Sequence, residues 1–379
     1  MNICIVSQDY PSNKRAVFTF VSPLVEEMVN MGTKCTVVAP FSITNSFIRR
    51  LSYERKYEVA MTNKGNRYEI YRPHYISFSR LKIFGFSLSN YFHKKAVERA
   101  LKSIEKPDVV YAHFWNSGIE SYKYVVENKI PLFIAAGEEF LPELKLKPEE
   151  VKNFYKYIKG VICVSSIRKV EIEERGLVDS NLCGIFVNGV DLTLFNRLNK
   201  MDCRERLGFS EKDFITCFVG QFVERKGTVR LSKSIDLLND QGVKSVFIGS
   251  GQLEPDCDGI LFKGRVPHDE ISLYLNACDV FVLPTLNEGC SNAIIEAMAC
   301  GLPIISSDRP FNADILNSEN SILVDPMNVE EIAASIKKIK DDEILKKKLS
   351  DGAFLSAQKL SIKKRAEDIL NFINININN

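Results

Sequence analysis

Short apolar runs rich in β-branched residues alternate with stretches of helical periodicity along the whole chain. In the first half the runs are Ile3 to Ser7, Cys35 to Ala39, Val109 to His113, Leu132 to Ala135, Val161 to Val164 and Ile185 to Val187. In the second half they are Phe214 to Val219, Val246 to Ile248, Ile260 to Phe262, Val280 to Leu283, Pro303 to Ser306 and Ile322 to Val324. Such runs, too short for helices and separated by helix-length gaps, read as strands of βα units. After the first strand, Val21, Leu24, Val25, Met28 and Val29 fall on one helical face that ends at Met31-Gly32, where glycine can supply a left-handed cap. The pattern predicts an α/β class built on parallel sheets.

The chain has 379 residues, more than one hydrophobic core usually holds, so two domains are expected. Asn188 to Leu207 carries Asn-Gly and several charges without a long apolar period and reads as a hinge with a lead-in helix. The boundary is placed to give domains 1–199 and 200–379, each a doubly wound sheet, with the last helix a candidate to cross back to the first. Ligands of open α/β sheets bind outside the carboxyl ends of the strands, so the chemistry is expected in a cleft between the two domains.

Hydrophobic residues make up 45% and charged residues 26% of the chain, which excludes disordered and collagen-like classes. No apolar run reaches the roughly 20 residues that span a bilayer, and the first residues lack the basic start and long apolar core of a signal peptide. Ten scattered cysteines without C-x-x-C spacing read as buried, reduced thiols. A cytoplasmic location follows from these features. The net charge of +2 hides an asymmetry, because residues 41–105 carry 13 Lys/Arg against 5 Asp/Glu. Phe47, Ile48, Leu51, Tyr53, Phe84, Phe86 and Phe92 interleave with those charges, a pattern suited to an anionic membrane surface at the inner face of the cell membrane. An ordinary solvated basic face is the alternative. No nucleic-acid motif accompanies the charge, and nucleic acid is not expected as a partner.

The densest chemistry lies between Asp279 and Pro303. There a buried strand ends at Pro284, a loop carries Glu288 and Gly289, and a helix starts at Ser291 or Asn292, either of which can cap it. Free amides at such a start suit a phosphate, and Glu296, one turn inside, can accept from vicinal hydroxyls such as those of ribose. Solvated helix-end glutamates are the bland alternative. Among the four histidines, His113 alone follows a predicted strand at its carboxyl end, whereas His74, His93 and His268 read as surface or interface positions. No His/Asp/Glu grouping has spacing that suits a metal. Gly249-Ser-Gly251 lacks the third glycine of a dinucleotide fingerprint, so NAD and FAD are not expected.

These residues resemble the retaining glycosyltransferases of family four, whose GT-B fold pairs two Rossmann-like domains facing across a cleft. The hallmark E-x7-E is similar to Glu288 to Glu296. Gly220-Gln-Phe-Val-Glu-Arg-Lys226-Gly227 resembles G-R-L-x-x-x-K-G, and Val187-Asn-Gly-Val-Asp191, Ile248-Gly-Ser-Gly251 and Phe262-Lys-Gly-Arg-Val266 extend the likeness over residues 185–326. The first half is similar more loosely, through Met1 to Pro11, Asp108 to His113 and Val161 to Ser166.

The resemblance implies transfer of a sugar from a nucleotide-sugar donor to a glycan or lipid-linked acceptor, with retention, without metal or cofactor, in surface polysaccharide biosynthesis. It implies that Lys226, Ser291 and Asn292 hold the diphosphate, Glu296 the ribose and Glu288 the donor sugar, that Val266 and Gly220 line the donor site, and that His113 lies near the anomeric carbon. Gln221 stands where the family has arginine, a departure that leaves part of the leaving-group charge to Arg225, or to Lys14 and Arg15. The first βα turn lacks the family's glycines, and Ala136 replaces a family histidine or arginine before Gly137-Glu138-Glu139, whose two glutamates are acceptor-side candidates. The rival readings are a catalytically silent nucleotide-sugar-binding partner subunit, and an epimerase or hydrolase on the same scaffold.

Overall fold

The computed structural model describes residues 1–12, 14–15, 20–48, 52–78, 82–83, 86–138 and 154–377. The chain divides into two compact units, Met1–Phe186 with Arg365–Asn379, and Val187–Lys364.

The sheet of the first unit has eight strands. In spatial order they are Cys183–Ile185, Ile158–Cys163, Leu132–Ala136, Val109–His113, Asn2–Ser7, Lys34–Val38, Arg67–Tyr71 and Tyr57–Met61. All neighbours are parallel except the last pair, which is antiparallel. The order in which successive strands are added therefore reverses between the parallel strands Asn2–Ser7 and Val109–His113, whose register sets Ser7 opposite His113. Val109–His113 and Leu132–Ala136 are buried at every residue, as expected of strands covered by helices on both faces. The helix Val21–Asn30 buries Val21, Leu24, Val25, Met28 and Val29, and Gly32 takes φ 85° just past its end.

The second unit holds a six-stranded, wholly parallel sheet. Its spatial order is Ile260–Gly264, Val243–Ile248, Phe214–Val219, Val280–Leu283, Ile304–Ser307 and Ser321–Val324. Counted along the chain this reads 3-2-1-4-5-6, the doubly wound order with a switch point between its first and fourth strands. At the amino end of Val280–Leu283, buried Asp279 accepts from Arg204 Nη2 at 2.7 Å, from Ile215 N at 2.7 Å and from Lys200 Nζ at 2.8 Å. This paired charge anchors the two central strands at the end opposite the switch point. All ten cysteines are free thiols, eight of them buried.

Candidate active site

At the switch point of the second unit, two loops meet. The first leaves Phe214–Val219 through Gly220, whose amide donates to Ile248 O at 2.9 Å, and runs through exposed Gln221 into the short turn Glu224–Lys226. The chain then turns at Gly227, with φ 82°, to start the helix Thr228–Leu238. A Cβ at Gly227 would lie 2.5 Å from Pro284 O, so only glycine lets this turn rest on the end of Val280–Leu283. The contact sets Arg225 and Lys226 beside the second loop. Leu286 N donates to Arg225 O at 2.8 Å, and Arg225 Nη1 donates to Asn287 O at 2.6 Å.

Glu288 closes the arrangement. It forms an ion pair with Lys226, lies 3.3 Å from Arg225 Nη1, and accepts from Thr285 Oγ1 at 3.0 Å. The side chains of Glu288 and Lys226 are 11% and 15% exposed. Asn188 Nδ2 ties the same loop through Cys290 O at 3.0 Å. The helix Asn292–Ala299 begins immediately after, and Ser291, its buried cap residue, makes no side-chain cap hydrogen bond. The Ser291 side chain thus leaves the first-turn amides uncapped, three residues after the Glu288 that pairs with two cations, an arrangement suited to a polyanion.

Glu296, one turn on, is engaged by His268, whose Nε2 lies 2.9 Å from Glu296 Oε1. Reading His268 as a surface position missed this pairing, because 28 residues separate the two and only the folded loop brings them together. His268 is surface-exposed yet directed at the site. Val266, two residues earlier, packs partly buried on the core of the unit.

In the first unit, His113 is buried and its ring lies among Phe20, Tyr111 and Phe114, with centroids 5.6, 6.3 and 4.4 Å away. Among the described residues neither ring nitrogen has a hydrogen-bond partner, and burial, assisted by the Arg365 charge, lowers its pKa to about 3. The imidazole is therefore neutral at physiological pH. The following residue, Phe114, takes φ 90° and ψ 173°, a costly conformation for a residue with a Cβ, and starts the helix Trp115–Asn128. Glu138 accepts from the first amide of that helix, Trp115 N, at 2.6 Å. Among the described residues its other oxygen is buried without a partner, and desolvation raises its pKa to about 7. Arg168 Nη2 donates to Glu138 O. Glu139 lies outside the described residues. Arg15 is paired with Asp9 at 2.7 Å and stacks over Phe41, so its charge is already matched within the first unit. Among the described residues, no group of three or more His, Cys, Asp or Glu side chains is placed to hold a metal ion.

Residues 199–355 match the family model of glycosyl transferases group 1. The chain carries a group 1 glycosyltransferase domain. The glycosyltransferase TuaC of Bacillus subtilis, named for teichuronic acid biosynthesis, is 27% identical over 94% of this chain and 94% of its own length. The UDP-Gal:alpha-D-GlcNAc-diphosphoundecaprenol alpha-1,3-galactosyltransferase of Escherichia coli is 27% identical over 64% of this chain and 68% of its own. The structure of Anabaena HepE in complex with UDP and glucose superposes with a TM-score of 0.71 at 15% identity, covering 99% of both chains. This glycosyltransferase thus has the GT-B fold, and its matched segment contains Lys226, Glu288 and Glu296.

Proposed function

We propose that this glycosyltransferase moves a sugar from a nucleotide-sugar donor to a glycan or lipid-linked acceptor, with retention and without a metal, in the assembly of a surface polysaccharide. The observation that carries this reading is the meeting of Lys226, Arg225 and Glu288 with the uncapped start of Asn292–Ala299 at the switch point. The TuaC and E. coli relatives support the polysaccharide and lipid-linked acceptor classes through what their names state, and the HepE complex supports a nucleoside diphosphate ligand. The second unit, Val187–Lys364, then carries the donor, and the first unit carries the acceptor.

Departure of a nucleoside diphosphate leaves negative charge on its terminal phosphate, so catalysis consists mainly of placing cations and amide dipoles around that oxygen. Lys226 and the amides at Ser291 and Asn292 take this role. Arg225, within reach of Glu288, supplies the second positive charge that Gln221 does not. Glu288 meets hydroxyls of the donor sugar, Glu296 meets the ribose, and Val266 and Gly220 border the nucleoside. His113, neutral and buried, offers an uncharged ring nitrogen to the sugar, and Glu138 faces the acceptor.

No helix among the described residues is long and apolar enough to cross a membrane. Phe47 and Ile48, 87% and 71% exposed, end the helix Ile43–Ile48 within the basic region 41–105, which supports peripheral contact with the anionic inner membrane face by a cytoplasmic protein. Leu51 and Phe84 lie outside the described residues.

Incubation of the purified protein with nucleotide sugars and a glycan or lipid-linked acceptor, with product read by mass spectrometry, tests the transfer. Each charge-assisted contact to a buried phosphate contributes about 1.5–3 kcal/mol. Lys226→Ala is therefore expected to lower turnover at least tenfold, and a rate near that of the parent removes Lys226 from the site. Nucleotide sugar consumed only without acceptor transfer identifies a hydrolase or epimerase instead.

A further inference from the structure

The carboxylate assigned above to ribose is held by a second element. Glu296 sits inside the helix Asn292–Ala299 with its side chain 12% exposed, and its Oε1 takes the hydrogen bond from His268. His268 comes from the turn His268–Glu270, which follows Ile260–Gly264 and the segment containing Val266. The pair thus joins the loop that borders the nucleoside to the helix that carries Glu296.

The imidazole is fixed on more than one side. Phe195, fully buried, packs edge-on against it with centroids 5.3 Å apart. The carboxylates around it are Glu296, Asp269 and Asp191, and together, with the Glu296 hydrogen bond foremost, they raise its pKa. Nε2 can donate to Glu296 both as imidazolium and as the neutral Nε2–H tautomer. Among the described residues, Glu296 Oε2 has no side-chain partner, which leaves that oxygen to accept from a ligand.

We infer that His268 is a positioning residue of the donor site: by occupying Oε1 it aims Oε2 of Glu296 at the ribose hydroxyls, and so makes the enzyme selective for ribonucleotides over nucleotides that lack those hydroxyls. The inference rests on the assignment of ribose to Glu296. A long, rotatable carboxylate gains discrimination only when its direction is fixed before the ligand arrives, and a site built to bond a hydroxyl rejects the analogue without it.

The test uses the full chain and calorimetric titration with whichever of UDP, GDP and ADP binds tightest, against the 2′,3′-dideoxy form of the same nucleotide. The parent is expected to prefer the ribonucleotide at least tenfold. His268→Ala is expected to reduce that preference to about threefold or less while the dideoxy form binds as before, and His268→Gln, which retains an N–H at the same reach, is expected to restore it. Preference unchanged in His268→Ala, or equal loss of affinity for both forms, overturns the inference and leaves His268 as a brace. A parent that binds without preference removes ribose from Glu296. Failure of all three nucleotides to bind overturns the donor reading itself, and the inference with it.

Discussion

Two buried titratable side chains in the first unit respond to pH in opposite senses. Glu138 has its pKa raised from 4.5 to about 7 because burial outweighs the bond from Trp115 N. A carboxyl with a raised folded pKa favours its neutral form in the fold, so its stabilising contribution is complete below the unfolded value and is lost as pH rises toward 7. His113, with its pKa lowered to about 3, behaves the other way: its contribution is complete above the ordinary histidine value of about 6.5 and is lost as pH falls toward 3. Melting temperature measured from pH 4.5 to 7.5 should therefore decline less steeply with rising pH in Glu138→Gln than in the parent. Identical profiles would mean that Glu138 is already ionised and solvated. Glu288 and Glu296 could be placed from the sequence because their spacing ties them to a strand end and a helix start, whereas Lys226 was reached only through the resemblance of its Lys-Gly pair to the family pattern. The burial of Glu138 was not legible there, since it depends on a helix start 23 residues earlier.

At the scale of elements, the site depends on how closely two loops approach. Gly227 combines φ 82° with a Cβ position 2.5 Å from Pro284 O, and Gly249, with φ 151°, would meet Gly220 O at 1.8 Å. Positive φ for a residue with a Cβ costs of order 1–3 kcal/mol before any steric clash is added. Gly227→Ala is expected to lower the unfolding free energy of the chain by about 2 kcal/mol or more in urea titration, and to weaken nucleoside diphosphate binding by displacing Lys226. Unchanged stability would show that the turn can move away from Pro284 at no cost. The parallel strands were visible in the sequence as apolar runs because both faces of each are covered. Tyr57–Met61 and Arg67–Tyr71 were not, because the first alternates exposed with half-buried positions and the second buries only Tyr68 and Ile70, amid charged residues, so the region reads as a basic surface. The lead-in helix expected before the second sheet is present as Lys200–Leu207, capped by Asn199.

Across the whole molecule, both units use the same winding, and in each, candidate chemistry leaves the first and fourth parallel strands of the sheet, joined by Glu138 after Leu132–Ala136 in the first unit and by Val266 and His268 after Ile260–Gly264 in the second. In the first unit the first and fourth strands are Asn2–Ser7 and Val109–His113, and in the second Phe214–Val219 and Val280–Leu283. The terminal helix begins at Ile362, and its residues from Arg365 onward belong to the first unit, where Phe372 packs against Phe133 and Phe186 with centroids 6.1 and 5.2 Å away. The alternation of strands and helices made the α/β class readable from the sequence. The strand order was not, because it depends on which edges pair in space. The central claim is that the diphosphate of a nucleotide binds at the second of these switch points. Crystals of the protein soaked with UDP, GDP or ADP test it most directly: the account predicts phosphate oxygens within hydrogen-bond reach of Lys226 Nζ and of the backbone amides at Ser291 and Asn292, and a nucleotide bound elsewhere with that position vacant would contradict it.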